Sequence, residues 1–303
     1  RAGRRGIDVE GHAVVAWSPG MDPRALSGLA ARRTYPLNSS FAPTYNMAVN
    51  MVATVGQIRA HELLLSSFAQ FQADAALERR LRNVNGGRRR DREDAKSQGQ
   101  DSRKVARAQR RTNSIAERFD RVCGVLEALG YLEGDPLQVT DSGRILTRIY
   151  SELDLVTVEA IKAGVFDGLS PAALAAVIST LVFESRKEKT AHRMPDRTSE
   201  VAGSKLRDIW REVNRLERDF RLPGADAPDI GFAEAIYDWV NGAELFDVLA
   251  YNEISAGDFV RWARQVVDQA GQIAGAVQTG PLHASSRKVI ELIRRGVVDV
   301  AAD

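Results

Sequence analysis

FDRVCGVLEALGYLEGDPLQVTDSGRIL, residues 119–146, changes its period twice within a short span. Ile115, Phe119, Val122, Leu126 and Leu129 step by 4, 3, 4 and 3, which predicts an amphipathic helix with one apolar face. Gly130 stops it, as glycine commonly does after a last helical turn. Leu132, a Gly-Asp-Pro turn, then Leu137 and Val139 read as a small hairpin. Thr140 or Asp141 then offers a side-chain oxygen to cap another helix.

Helix, hairpin and helix in this order and spacing fit a winged-helix module. Upstream, Ser39 and Ser40 are candidate N-caps for a helix through Val52, with Phe41, Tyr45, Met47, Val49 and Val52 on its apolar side and Gly56 at its end. A second helix with Leu63, Leu64, Phe68 and Phe71 at core spacing follows. Downstream the pattern is helical throughout. Ser170-Pro171 places proline in a first helical turn. Lys187 to Thr198 reads as a polar linker. Leu206, Ile209, Val213, Leu216 and Phe220 step by 3, 4, 3 and 4 before a break at Leu222-Pro223-Gly224, and another helix is expected over 232–241. Ser255-Ala-Gly-Asp258 looks like a capping box with Asp in place of Glu. Behind it Phe259, Ala263, Val266, Ala270, Ile273 and Val277 keep the helical period. A last helix is expected over about 285–297. Val9 to Trp17 reads as a short buried strand.

Composition limits what such a chain does. The 303 residues are 44 % apolar, enough for a sizeable core. The longest apolar run, 172–183 (AALAAVISTLVF), is too short to span a bilayer. Cys123 is the single cysteine, so no internal disulfide forms; with no secretory segment, this fits the cytoplasm. The four histidines are scattered without metal-ligand spacing, and no metal site is expected. Charge is uneven. Residues 79–111 hold 13 Lys/Arg against 4 Asp/Glu, a local +9 in a chain of formal charge +2, so the remainder carries −7. Such a block suits an anionic partner, nucleic acid first, or a solvated linker.

The chain opens on RAGRRGID, followed by GHAVV. This stretch resembles motif VI of superfamily-two helicases in the form used by the superkiller and HelY-type DExH RNA helicases, which are associated with the exosome. LNSSFAPTYNMAVNM (37–51), FAQFQAD (68–74), FDRVCGVLEALGYL, GRILTRIYSELDL and GDFVRWARQVVDQAGQI (257–273) are similar to that family in the same order. The resemblance implies four parts. Residues 1–34 would be the tail of a second RecA-like domain, a short α/β remnant; 35–74 with 112–155 the winged-helix region; 75–111 a shortened basic insertion where longer members carry an arch; and 156–303 a C-terminal helical bundle. The fold class expected is therefore mainly α.

It also implies roles. Arg1 and Arg4 match the arginines that reach ATP phosphates, a task suited to a planar guanidinium fork. Gly3 and Gly6 would let the backbone turn around them, and Asp8 matches the acidic residue that follows. ATP and Mg²⁺ belong to the intact helicase. No phosphate-cradling loop ending in Gly-Lys and no DExH box occurs here, so the chain alone is expected not to hydrolyse nucleoside triphosphate. Three surfaces compete for single-stranded RNA, the partner expected beside a nuclease: the basic block with Arg88, Arg89 and Arg90; the stripe Arg207, Arg211 and Arg215; and Arg261 with Arg264. Asp208, Glu212 and Asp219 dilute the stripe, so ordinary surface ion pairs are its preferred reading, whereas the resemblance favours Arg261 as an RNA contact over plain pairing of Arg261 with Gln265 and of Arg264 with Asp268. Trp262 is expected to pack rather than stack on a base, and Tyr45 and Asn46 to fix the winged-helix core. A motorless RNA- or protein-binding module and a plain helical scaffold are the rival readings.

Overall fold

The computed structural model describes residues 41–67, 115–185 and 193–299. The described residues are mainly helical, with one two-stranded sheet. The strand expected at 9–17, the motif VI residues Arg1, Gly3, Arg4, Gly6 and Asp8, the basic block with Arg88 to Arg90, and Phe68 and Phe71 lie outside the described residues.

Helix α1 is Tyr45–Val55 and α2 is Gln57–Leu65, joined at Gly56. The cap of α1 is Thr44, whose hydroxyl accepts the Met47 N–H, rather than Ser39 or Ser40. Phe41 consequently precedes the helix and is exposed. In α2, Leu64 is buried and Leu63 is exposed. Helix α3, Ile115–Ala128, buries Phe119, Val122 and Leu126 as their spacing predicts. Strands β1 (Leu132–Glu133) and β2 (Gln138–Val139) pair antiparallel, Leu132 opposite Val139. Thr140 caps α4, Asp141–Leu146, through the Gly143 N–H, and its hydroxyl also reaches the Gly130 carbonyl at 2.8 Å.

The bundle follows: α5 (Asp154–Lys162), α6 (Pro171–Ser179), α7 (Arg197–Asp219), α8 (Ala233–Val240), α9 (Leu245–Tyr251), α10 (Ala256–Val277) and α11 (Pro281–Ile293). Helix α6, PAALAAVIS, is apolar on every side, and its residues 172–179 are all buried. Such a helix belongs at the centre of a core, and α7, α8, α10 and α11 pack around it. Helix α7 already begins at Arg197 behind the cap Asp196, so the expected linker is shorter. The last helix runs from Pro281 to Ile293, earlier than expected at both ends, because Pro281 occupies the first turn, where proline's missing N–H costs nothing.

A buried polar junction ties the hairpin region to the bundle. The Tyr45 hydroxyl donates to Glu217 Oε1 of α7 at 2.9 Å. The Asn46 N–H donates to Asp154 Oδ2 of α5 at 2.8 Å, and its side-chain amide donates to the Leu146 carbonyl at 2.8 Å. These two residues therefore reach across to the bundle, beyond a role within their own helical trio. Burial pushes the Asp154 carboxyl up to about 7, opposed by the N–H groups of Asn46 and Leu155.

Candidate nucleic-acid interface along helix α10

Helix α10 carries two of the expected RNA residues, Arg261 and Arg264, and borders two clefts of the bundle. Ser255 caps it by accepting the Asp258 N–H at 3.1 Å. Phe259, Ala263, Val266, Ala270 and Ile273 are fully buried on its inner face. The outer face is left to Arg261, Trp262, Arg264, Gln265, Asp268 and Gln272.

Two clefts meet along that outer face. The first, about 340 Å³, is bounded by Trp262, Gln265, Asp268 and Gln269 of α10 and by the segments 150–153, 180–184 and 225–227. Its charged side chains are Glu152, Glu184, Asp226 and Asp268, all acceptors. Trp262 meets Phe183 edge-on, ring centroids 5.0 Å apart. Ser151 Oγ is buried with no hydrogen-bond partner. A hollow with carboxylates and aromatic faces but no cation suits groups that donate hydrogen bonds and stack, such as a nucleobase. The second cleft, about 830 Å³, lies between α10 and α11 and is bounded by Arg148, Arg264, Arg287 and Arg294, with Asp268 and Asp299 the acids among the described residues. Tyr150, which is 67 % exposed, and Asp268 line both clefts.

The sequence-predicted arginines separate under this geometry. Arg261 is half-buried and bound within its own helix: its guanidinium donates to Asp258 Oδ1 at 2.9 Å and lies 4.5 Å from the centre of the Trp262 ring. Its Nε is buried without a partner. Arg264 contacts the Val298 carbonyl, with Nε at 3.4 Å. The pairings expected with Gln265 and Asp268 are thus replaced by others, because Asp258 lies one turn earlier on the same face and Asp268 is held by Gln272 at 2.7 Å. Trp262 packs against Phe183 and under Arg261, as expected of a helix tryptophan. On α7, Arg211 pairs with Asp208 at 2.6 Å, while the side chains of Arg207 and Arg215 form no hydrogen bond or ion pair with the described residues. The α7 stripe borders neither cleft.

Arg148, Tyr150, Arg287 and Arg294 escaped the sequence reading. Arg287 on α11 and Arg294, the residue just past its end, stand one heptad apart, a spacing visible in the sequence. Arg148 and Tyr150 sit more than a hundred residues away and join only through packing of the α4 end against α10. Among the described residues no group of three or more His, Cys, Asp or Glu is placed to hold a metal ion, and no helix is long and apolar enough to cross a membrane.

Residues 137–301 match the DSHCT (NUC185) domain. The whole chain is 28 % identical to the protein named "Probable helicase HelY" of Mycobacterium tuberculosis, covering 55 % of that relative, and 28 % identical to its namesake in Mycobacterium leprae with the same coverage. It spans about half the length of these relatives. Over 57 % of the chain it is 24 % identical to the "ATP-dependent RNA helicase mtr4" of Schizosaccharomyces pombe, covering 16 % of that protein. The bundle of α5 to α11 and the motifs in family order converge here: the chain belongs to the DSHCT domain family and matches the C-terminal portion of superfamily-two helicases of the HelY and Mtr4 type.

Proposed function

We propose that the chain is the RNA-channel portion of an ATP-dependent RNA helicase that unwinds or translocates RNA for processing or decay. The observation that carries this reading is the DSHCT match over a bundle whose helix α10 presents two adjoining clefts of complementary chemistry. Bases would enter the acceptor-lined cleft beside Trp262, with Arg261 at its margin and Arg264 on the neighbouring face. The stripe Arg207, Arg211 and Arg215 and the block with Arg88, Arg89 and Arg90 would add weaker, sequence-independent attraction to phosphate.

In this reading α1 to α3 with the hairpin form the winged helix, residues 156–303 the bundle, residues 1–34 the tail of the second RecA-like domain, and residues 75–111 a shortened insertion in place of the arch. The matched span supports a shortened insertion, being 501 residues long against the chain's 303. Arg1 and Arg4 would reach the nucleotide, with Gly3, Gly6 and Asp8 shaping the backbone around them. ATP and Mg²⁺ would be held by the intact helicase, which works in the cytoplasm beside a nuclease partner; a relative in mouse is named "Exosome RNA helicase MTR4". The test is ATP turnover. The 303-residue chain is expected to show no RNA-stimulated hydrolysis. A polypeptide that joins it to the motor half of a HelY-type relative is expected to show it, and to lose it on Arg4→Ala. Equal turnover by the fusion and its Arg4→Ala variant would reject the role given to Arg4. A fusion that never responds to RNA would reject the helicase reading.

A further inference from the structure

The stretch from Leu222 to Val260 carries eight Asp or Glu residues and no Lys, Arg or His. In a chain with 42 Lys and Arg against 40 Asp and Glu, so long a run of one sign sets this part of the surface apart. The cations that reach it from outside are committed elsewhere. Arg295 donates to the Trp239 and Ala243 carbonyls at 2.7 Å each and lies 3.5 Å from the centre of the Trp239 ring. Arg261 pairs with Asp258 at 2.9 Å. Around α9 the carboxylates of Glu244, Asp247 and Glu253 are exposed and form no hydrogen bond or ion pair with the described residues.

A second, independent feature lies on the same element. Phe246 is 80 % exposed and Tyr251 is 72 % exposed. With about 100° between successive residues, Phe246, Ala250, Asp247 and Tyr251 share an arc of about 140° on the helix surface. The opposite side of α9 is anchored, Val248 being buried and Leu245 and Leu249 half-buried against the core. The two rings therefore stand outward on a helix that is already held, and neither belongs to the core. Aromatic side chains supply much of the energy of protein contacts, and a rim of one charge selects the partner. The same carboxylates repel nucleic-acid phosphate and anionic lipid headgroups, which leaves a protein of opposite charge as the occupant.

We propose that α9 is a docking surface for a basic segment of a partner protein. An apolar side chain of that segment seats between Phe246 and Tyr251 over Ala250, and its Lys or Arg side chains pair with Glu244, Asp247 and Glu253. The surface goes beyond the RNA-helicase reading and stands without it.

The experiment uses fluorescence anisotropy with the 303-residue chain. The probe is a labelled oligolysine carrying one Leu and one Phe, beside the same peptide with Gly at those two places. The first is expected to bind, more weakly as salt rises, and the glycine peptide to bind about tenfold more weakly still. Phe246→Ala/Tyr251→Ala is expected to melt at the unchanged temperature, because both rings are exposed, and to lose about tenfold in affinity for the first peptide alone. Ile58→Ala, which removes a side chain 74 % exposed on α2, should change nothing. Glu244→Gln/Glu253→Gln should weaken both peptides several-fold, whereas Glu133→Gln/Glu212→Gln, a pair of exposed carboxylates elsewhere, should not. No binding of the first peptide, equal binding of the two, full binding by the aromatic variant, or an equal loss in either control would each overturn the docking surface. A loss of oligo(U) binding in the aromatic variant would assign the rings to nucleic acid instead. A dimer of the unaltered chain that the aromatic variant breaks, seen by sedimentation, would assign the face to a second copy and overturn the basic partner. Failure with the peptides while oligo(U) binding is unchanged removes the docking surface and leaves the RNA reading standing.

Discussion

Asp154 shows how a single side chain can couple the stability of this chain to pH. It is 2 % exposed, receives the Asn46 and Leu155 N–H groups, and has Glu217 as a charged neighbour. Burial raises both carboxyls, Asp154 to about 7. An unfolded aspartate titrates near 3.9. Between about pH 4 and pH 7 the folded chain therefore holds a proton that the unfolded chain has released. Stability from this group is full below about pH 4 and is lost as pH rises through 7, at up to about 1.4 kcal/mol per pH unit for one proton. Urea unfolding from pH 4.5 to 8 checks this. Relative to Asp154→Asn, which cannot titrate there, the unaltered chain is expected to lose stability progressively toward neutral pH. A constant difference between the two would contradict the assignment.

At the scale of the element, the hairpin is held by a close approach that only glycine permits. A Cβ at Gly143 would fall 2.6 Å from Val139 Cγ1 and against the Tyr131 carbonyl as well. Gly143→Ala must therefore push α4 away from the hairpin, at an expected cost of about 1–3 kcal/mol in thermal unfolding. Contacts of this kind explain what could be read in advance and what could not. The period of α3, the cap at Thr140, Ser170-Pro171 and the 4, 3, 4, 3 steps of α10 are local signals, and each element formed where its signal stands. The start of α1 was misread because serines precede it in sequence while the threonine beside Pro43 has the capping geometry. The arginine cleft was illegible because three separate elements build it, and no local pattern states that α4 ends against α10. Arg261 was legible as a residue but not in its environment, since its attachment to Asp258 and Trp262 depends on rotamers.

For the whole molecule, the proposed path of single-stranded RNA runs along the outer face of α10, over a bundle centred on α6 and braced against the hairpin region by Tyr45, Asn46, Asp154 and Glu217. The basic block at 79–111 offers an alternative seat, because its local charge of +9 attracts phosphate whatever the sequence of the strand. Photocrosslinking of a 4-thiouridine oligonucleotide to the 303-residue chain, with the attached peptides mapped by mass spectrometry, separates the two most directly. Crosslinks are expected at Tyr150 and Trp262 and in the peptides of α10 that face the clefts. Crosslinks confined to residues 79–111 or to the α7 stripe, with none on α10, would contradict that path.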